Sequence, residues 1–420
     1  MPYPLEQSSL LPTNGNGRSH HVESSRSIAS LLDEETSRQV SKIHLFSDVV
    51  VAAAIHLLAN DVVERQFLDP HVWFIFWFRI FLLHSIWSSA IVSTHSVFTG
   101  TAFKVAHHVG GMVQLMLVAC FAKASHSNNT RLVLVLYFLG RGFAAGATVV
   151  VHALGAANNQ DRHDRIQIIC LLPLSLILDC GPLLVALLYF GGDERMMLWG
   201  GLVTAVLGNS FRIAVADIME NGGMDGALVK ERHEFIILLL LGQLLLAGTT
   251  SAQDYLGGIS FVAAVLTAFG CFTLYFTAHV KGKIDAFSLS PRASCSGQQL
   301  HILLFGVIPT MAIAFSQIIA MDQNVLTYLE TSSFEYRHPQ TTLSIAVAVF
   351  IVVIAELENL SADPVGATFM VSKRWRFKFI MVMGVLVAGL SHYYDNAMLM
   401  AAVSTLFTAL VQLWFVQLGV

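Results

Sequence analysis

Charge is scarce in this chain: Asp, Glu, Lys and Arg together make up 12% of its 420 residues, about half the roughly 25% usual in a soluble domain. That shortage speaks against a soluble globule. Neither sign of charge dominates, since 24 basic against 28 acidic residues leave a net charge of -4. Such a balance presents no basic face to a phosphate backbone, and nucleic acid is not an expected partner. Cysteine is thinly spread too. Cys120, Cys170, Cys180, Cys271 and Cys295 stand far apart with no CxxC pair, so neither a zinc ribbon nor a disulfide framework follows. Also missing are GxGxxG, GxxxxGK[ST] and HExxH. With no nucleophile paired to a base in sequence, the expectation is a protein that is not an enzyme, with no catalytic residue, metal or cofactor.

What the chain has in abundance is apolar sequence, 55% of residues, with a mean hydropathy of +0.64. It is gathered into runs of about twenty residues, the length of a membrane crossing. The predicted fold class is therefore all-α, a polytopic transmembrane helix bundle of about twelve spans. They read 43–60, 72–92, 105–122, 131–154, 166–190, 198–218, 234–252, 257–279, 300–321, 341–359, 376–391 and 396–419. The lipid bilayer is the expected partner. Oligomeric state is not encoded in any of these features.

Residues 1–41 differ from the helical domain, 42–420: nine serines, three prolines and no sustained apolar run predict a disordered tail. No apolar stretch precedes a small-residue cleavage site there, so the first span is expected to direct membrane insertion. Basic residues near the spans set orientation, because cytoplasmic loops carry the excess. Counting from a cytoplasmic N-terminus, the inner segments hold fourteen, Lys230 and Arg232 among them, and the outer loops hold five, which are Arg65, Lys123, Arg131, Arg195 and Arg337. Both termini are thus expected in the cytoplasm. Spans one and seven then start from the same side, and both open alike, His44-Leu45-Phe46 and His233-Glu234-Phe235. That is what two parallel six-helix halves, 42–218 and 228–420, would require. The tail also carries Glu6, Leu10 and Leu11 in an ExxxLL pattern that resembles acidic dileucine sorting signals. A vacuolar or lysosomal membrane is one expected destination and the plasma membrane the other.

Ionisable groups inside a bilayer are costly and mark candidate sites. On span one, His44, Asp48 and His56 are spaced by four and eight, read as one helical face. A carboxylate beside an imidazole could hold a proton or cation; the competing reading has Asp48 merely bonding a neighbouring helix. Arg141 on span four and Arg212 on span six cannot lose their protons and need carboxylates, carbonyls or water. Asp48, Asp179 and Asp217 are the available partners, and an anion is the alternative. Asp179 precedes Cys180-Gly181-Pro182, where an interrupted helix would release carbonyls for an ion. The Glu356/Glu358 and His107/His108 pairs lie at span ends and are read as solvated. Gly142 to Gly146 reads as close helix packing. The candidate ion site thus comprises His44, Asp48, Arg141, Asp179, Arg212 and Gln243, with Asp48 at its centre beside His44 and one of the two arginines.

Three stretches resemble the bacterial low temperature requirement A family. His44 to Ala53, HLFSDVVVAA, is similar to its opening ELFFDLVFVxA through Leu45, Phe46, Asp48, Val49 and Ala52. Glu231-Arg232-His233-Glu234-Phe235 running to Leu241-Gly242-Gln243 resembles ERxxLFxIIVLGE, and Tyr336-Arg337-His338-Pro339 lies near its Y-x-H-x-P element. Tyr137 and Arg141 are similar to a tyrosine and arginine on its fourth span. The departures fall on charged positions: His44 and Gln243 stand where the family has Glu, Leu228 where it has His, and THSVFTGTAFK replaces an acidic-basic cluster. The resemblance implies a multi-pass membrane protein without an established activity. Lys42-xxx-Phe46-Ser47-Asp48 also resembles the basic-xxx-Phe-Ser-Asp signature of twelve-helix potassium channels, which implies a polar network around Ser47 and Asp48. Passage of a small ion or solute is the function these features favour, against a non-transporting scaffold or an intramembrane enzyme.

Overall fold

A computed structural model describes residues 45–62, 69–94, 101–127, 129–154, 162–189, 194–214, 226–250, 255–278, 290–323, 333–361 and 397–417, with 378–379, 382–383 and 386. Among them there are helices and no strands, so the all-α class holds. In chain order the helices are α1 (Leu45–Val62), α2 (Pro70–Thr94), α3 (Thr101–His126), α4 (Thr130–Leu154), α5 (Arg162–Tyr189) and α6 (Glu194–Ala214). They continue as α7 (Gly226–Thr250), α8 (Tyr255–Ala278), α9 (Pro291–Gln323), α10 (Ser333–Leu360) and α11 (Ala397–Gln417). Phe46–Val420 forms one compact unit, and Met1–Leu45 is a separate one in which Leu45 alone is described. The predicted tail and its Glu6, Leu10 and Leu11, and also His44, lie outside the described residues.

Local sequence explains several helix starts. Asp69 accepts the backbone N–H of His71 at 2.8 Å and is followed by Pro70, while Ser290 accepts from Ala293 at 3.2 Å and is followed by Pro291. A capping oxygen and then a proline, whose missing N–H costs nothing in a first turn, is the favoured opening of a helix. Asn129 caps α4 in the same manner through the N–H of Leu132.

Five helical stretches are long and apolar enough to cross a membrane: Leu45–Val62, Val109–His126, Thr130–Ala147, Arg292–Ala320 and Pro339–Leu360. Shorter apolar stretches lie at Pro173–Tyr189, Arg195–Gly208, Phe261–Thr277 and Leu399–Val411. The expected count of twelve is therefore not reached among the described residues, and span 376–391 falls mostly outside them. Large apolar side chains such as Met112, Met116, Ile177, Leu188 and Trp199 face outward, as a lipid-facing surface requires.

Helix α9 is the centre of the bundle, packing on α2, α6, α7, α8 and α10. Its buried Phe305 and Phe315 join Trp87, Tyr137, Tyr275 and Phe350 in one continuous core. Close approach is set by glycines other than those expected. A Cβ at Gly142 or Gly146 would meet nothing within 4 Å, so this pair lines no tight crossing. One tight crossing among the described residues is α8 on α11, where a Cβ at Gly270 would stand 2.7 Å from Thr405 Oγ1 and 2.9 Å from its carbonyl carbon. Helix α5 runs unbroken through Pro173 and Pro182. The interruption expected beside Asp179 is absent, because neighbouring packing holds a proline-containing membrane helix together.

Candidate functional site

Asp48 is buried, 2% exposed, and sits on the stripe of α1 that continues through Val51, Ala52, Ile55, Leu58, Ala59 and Val62. These positions recur every three or four residues, the spacing of one helix face. His56 does not share it. It is exposed and bonded to Asn60 at 3.2 Å, since Asp48 lies toward one edge of the stripe and His56 falls about 80° round the helix from it, on the side away from Val51 and Leu58.

The partner of Asp48 is Arg232, 184 residues on. Arg232 Nη2 donates to Asp48 Oδ1 at 2.7 Å, and Nε donates to Oδ1 and Oδ2 at 3.1 and 3.3 Å. Arg232 Nη2 also reaches Ser47 Oγ at 3.4 Å. The indole N–H of Trp87 supplies a further bond to Oδ1 at 2.9 Å, and the guanidinium carbon lies 5.3 Å from the centre of the Trp87 ring. The carboxylate is thus held by three donor groups, and the cation is held by both a carboxylate and an aromatic face. One turn further along α1, the Ala52 carbonyl accepts a hydrogen bond from Gln243 Nε2 at 3.1 Å. The two contacts advance in the same direction on both helices, so α1 and α7 are parallel.

Arg141 pairs with Asp179 of α5, one of the carboxylates expected for it, rather than with Asp48, and donates to the Ser85 carbonyl at 3.3 Å. Tyr137, one turn earlier on α4, donates to the Asp179 carbonyl at 3.2 Å. A carbonyl of the stretch where release for an ion was expected thus accepts a side-chain hydrogen bond. The side chain of Arg212 lies outside the described residues, as do those of Tyr336, His338, His107 and His108; Asp217 lies outside them altogether. Of the other family-motif positions, Leu45, Phe46 and Glu231 are exposed, and Gly242 has open space where a Cβ would be. Glu358, expected to be solvated, is buried at 4% exposure, because α10 keeps its inner face within the bundle to its last turn.

Two features escaped the sequence reading. Asp61 and Arg79 form a buried ion pair at 2.8 Å between α1 and α2; an arginine within an apolar run was the available signal. The second is a cluster of buried rings beside the Asp48–Arg232 pair, namely His84 of α2, His233 of α7, Tyr275 of α8, and His301 and Phe305 of α9. His84 and His233 approach at 3.5 Å between their Nε2 atoms, and Tyr275 Oη lies 2.8 Å from His301 Nε2. His84 and His301 within predicted spans, and His233 just ahead of another, were the signal here. Among the described residues no group of three or more His, Cys, Asp or Glu side chains is arranged to hold a metal ion. Compared with protein families, curated proteins and solved structures, the chain matches none.

Proposed function

We propose that this protein is a polytopic carrier or channel that moves a small ion or solute across a membrane, with Asp48 and Arg232 at its working centre. One observation carries the reading: a desolvated ion pair, ringed by further titratable groups, joins α1, α2 and α7 inside the bundle. Removing two charges from water costs several kcal/mol per ion, and apolar residues of equal volume commonly serve stability as well or better. Stability alone therefore does not account for the pair, whereas ion handling does. The lack of nucleotide-binding and metalloprotease motifs favours transport over an intramembrane enzyme.

Twelve spans, both termini cytoplasmic, and a relationship to the low temperature requirement A family complete the proposal. The parallel α1 and α7, opening alike, support two six-helix halves. The tail's Glu6, Leu10 and Leu11 support a vacuolar or lysosomal membrane over the plasma membrane. Replacing Leu10 and Leu11 by alanine is expected to redirect a tagged protein to the plasma membrane; an unchanged distribution removes that assignment.

A scaffold without transport is the second reading, favoured by the fact that Arg79, Arg141 and Arg232 each end on a carboxylate. Reconstitution separates the two. Vesicles containing the purified protein are expected to pass at least one of protons, potassium, divalent cations or small anions well above protein-free vesicles, and no flux of any of these supports the scaffold.

A further inference from the structure

The ring cluster has a definite hydrogen-bond order. Nδ1 of His233 lies 2.7 Å from the Val229 carbonyl oxygen. A carbonyl only accepts, so Nδ1 carries the hydrogen and the neutral ring offers a lone pair at Nε2. The 3.5 Å contact with His84 Nε2 is then an N–H of His84 donating to His233. His301 repeats the pattern: its Nδ1–H donates to the Gly297 carbonyl at 2.7 Å, and its Nε2 accepts the hydroxyl of Tyr275 at 2.8 Å. The two pairs adjoin, with the His233 and His301 rings centred 4.9 Å apart. His233, His301 and Tyr275 are fully buried and His84 is 3% exposed.

We propose that the ion handled by this protein is the proton, and that it is held on the His84–His233 pair; the proposal rests on the transport reading above. A hydrated metal ion or anion needs a cavity and several ligands, whereas a proton needs one lone pair and a hydrogen-bonded neighbour. The pair supplies both, on a side chain whose two ring nitrogens can serve as proton donor and proton acceptor in turn. A proton taken up at Nδ1 of His84 makes that ring an imidazolium. Its Nε2–H bond then breaks as the same hydrogen bonds to the lone pair of His233 Nε2. His84 is left neutral with its hydrogen on Nδ1, the positive charge has moved from α2 to α7, and no atom or electron is gained or lost. The pair takes one proton, because a second would set two N–H groups against each other.

The surroundings fit a transient imidazolium. The His233 ring meets Trp87 edge to face with centres 4.8 Å apart and stacks on Phe305 at 5.8 Å and 27°, aromatic surfaces that attract a desolvated cation. Beside the pair, among the described residues, stand His301 of α9, which is bonded to Tyr275 of α8, and the Arg232 guanidinium of α7 with its Asp48 counter-ion from α1. Asp48 neutralises the neighbouring fixed cation that would otherwise repel the proton most strongly.

The full-length protein in vesicles of neutral and anionic phospholipid, enclosing a pH-sensitive dye, tests the proposal. An imposed pH gradient is expected to drive proton flux at least tenfold above protein-free vesicles. His233→Gln, whose amide cannot hold the extra proton, is expected to abolish that flux without altering the unfolding temperature by more than a few degrees. Flux of potassium, a divalent cation or an anion without proton flux overturns the proposal and leaves transport standing. Proton flux undiminished in both His84→Gln and His233→Gln overturns the assignment to this pair, and no flux of any ion overturns transport with it. Should the variants fail to fold, nitrogen-15 spectra of histidine-labelled wild-type protein decide. A coupling across a hydrogen bond between the two Nε2 atoms is expected, and two rings titrating independently would overturn the pair.

Discussion

Arg232 illustrates how one side chain carries several jobs at once. It neutralises Asp48, covers Trp87 and reaches Ser47, so shortening it strands a carboxylate that is 2% exposed. Arg232→Met alone is expected to cost about 3–5 kcal/mol, the usual penalty for leaving one buried charge without its partner, measurable by denaturant unfolding in detergent. Gln243 makes a second residue-scale test. Its amide donates to the Ala52 carbonyl, a contact that an ionised carboxylate cannot make because it has no hydrogen to donate. Gln243→Glu is therefore expected to destabilise by roughly 1–3 kcal/mol, whereas an equal or higher unfolding temperature would show that the contact contributes nothing. The burial of Asp48 was legible in the sequence, because a carboxylate within an apolar run must face inward. Its partner was not. Arg232 sits at the head of span seven and reads as an ordinary cytoplasmic flank, and only the packing of α1 beside α7 draws it into the bundle.

Among the elements, helix existence was the legible part, since each membrane crossing must be a long apolar run whatever it packs against. Helix contacts were less so. Gly142 and Gly146 have the spacing of a packing motif yet face open space, while Gly270, with no such partner in sequence, lies against Thr405; which glycine is tight depends on helix rotation, which spacing alone does not set. Gly270→Ala is expected to lower stability by about 1–3 kcal/mol, the usual cost of overpacking, because the obstructing atoms include Thr405 backbone. Gly242→Ala, with nothing within 4 Å of its new methyl, is expected to be neutral or to stabilise by up to about 1 kcal/mol through helix propensity. Thermal unfolding of the two variants side by side checks both, and equal effects would mean that α8 and α11 are not in close contact there. The unbroken α5 teaches the same lesson from the opposite direction: Pro182 beside Gly181 reads as a break, and the helix continues.

For the whole molecule, moving Arg232 from loop to bundle lowers the inner count of basic residues from fourteen to thirteen against five, which leaves the expected orientation unchanged. It also places the head of α7 beside the head of α1, and with them a continuous polar region runs from Asp48 through Arg232 and Trp87 to the histidines of α2, α7 and α9. Individual groups of that region could be picked out in the sequence, but their adjacency could not, since the residues come from four helices spread over more than half the chain. The central claim is that this region serves transport rather than cohesion. The most direct test replaces the ion pair by apolar residues of similar size, Asp48→Leu with Arg232→Met, and measures unfolding temperature and proteoliposome ion flux on the same preparation. Because neither charge is left stranded, the double variant is predicted to unfold at an equal or higher temperature while its flux falls at least tenfold; a folded double variant with wild-type flux would contradict the account.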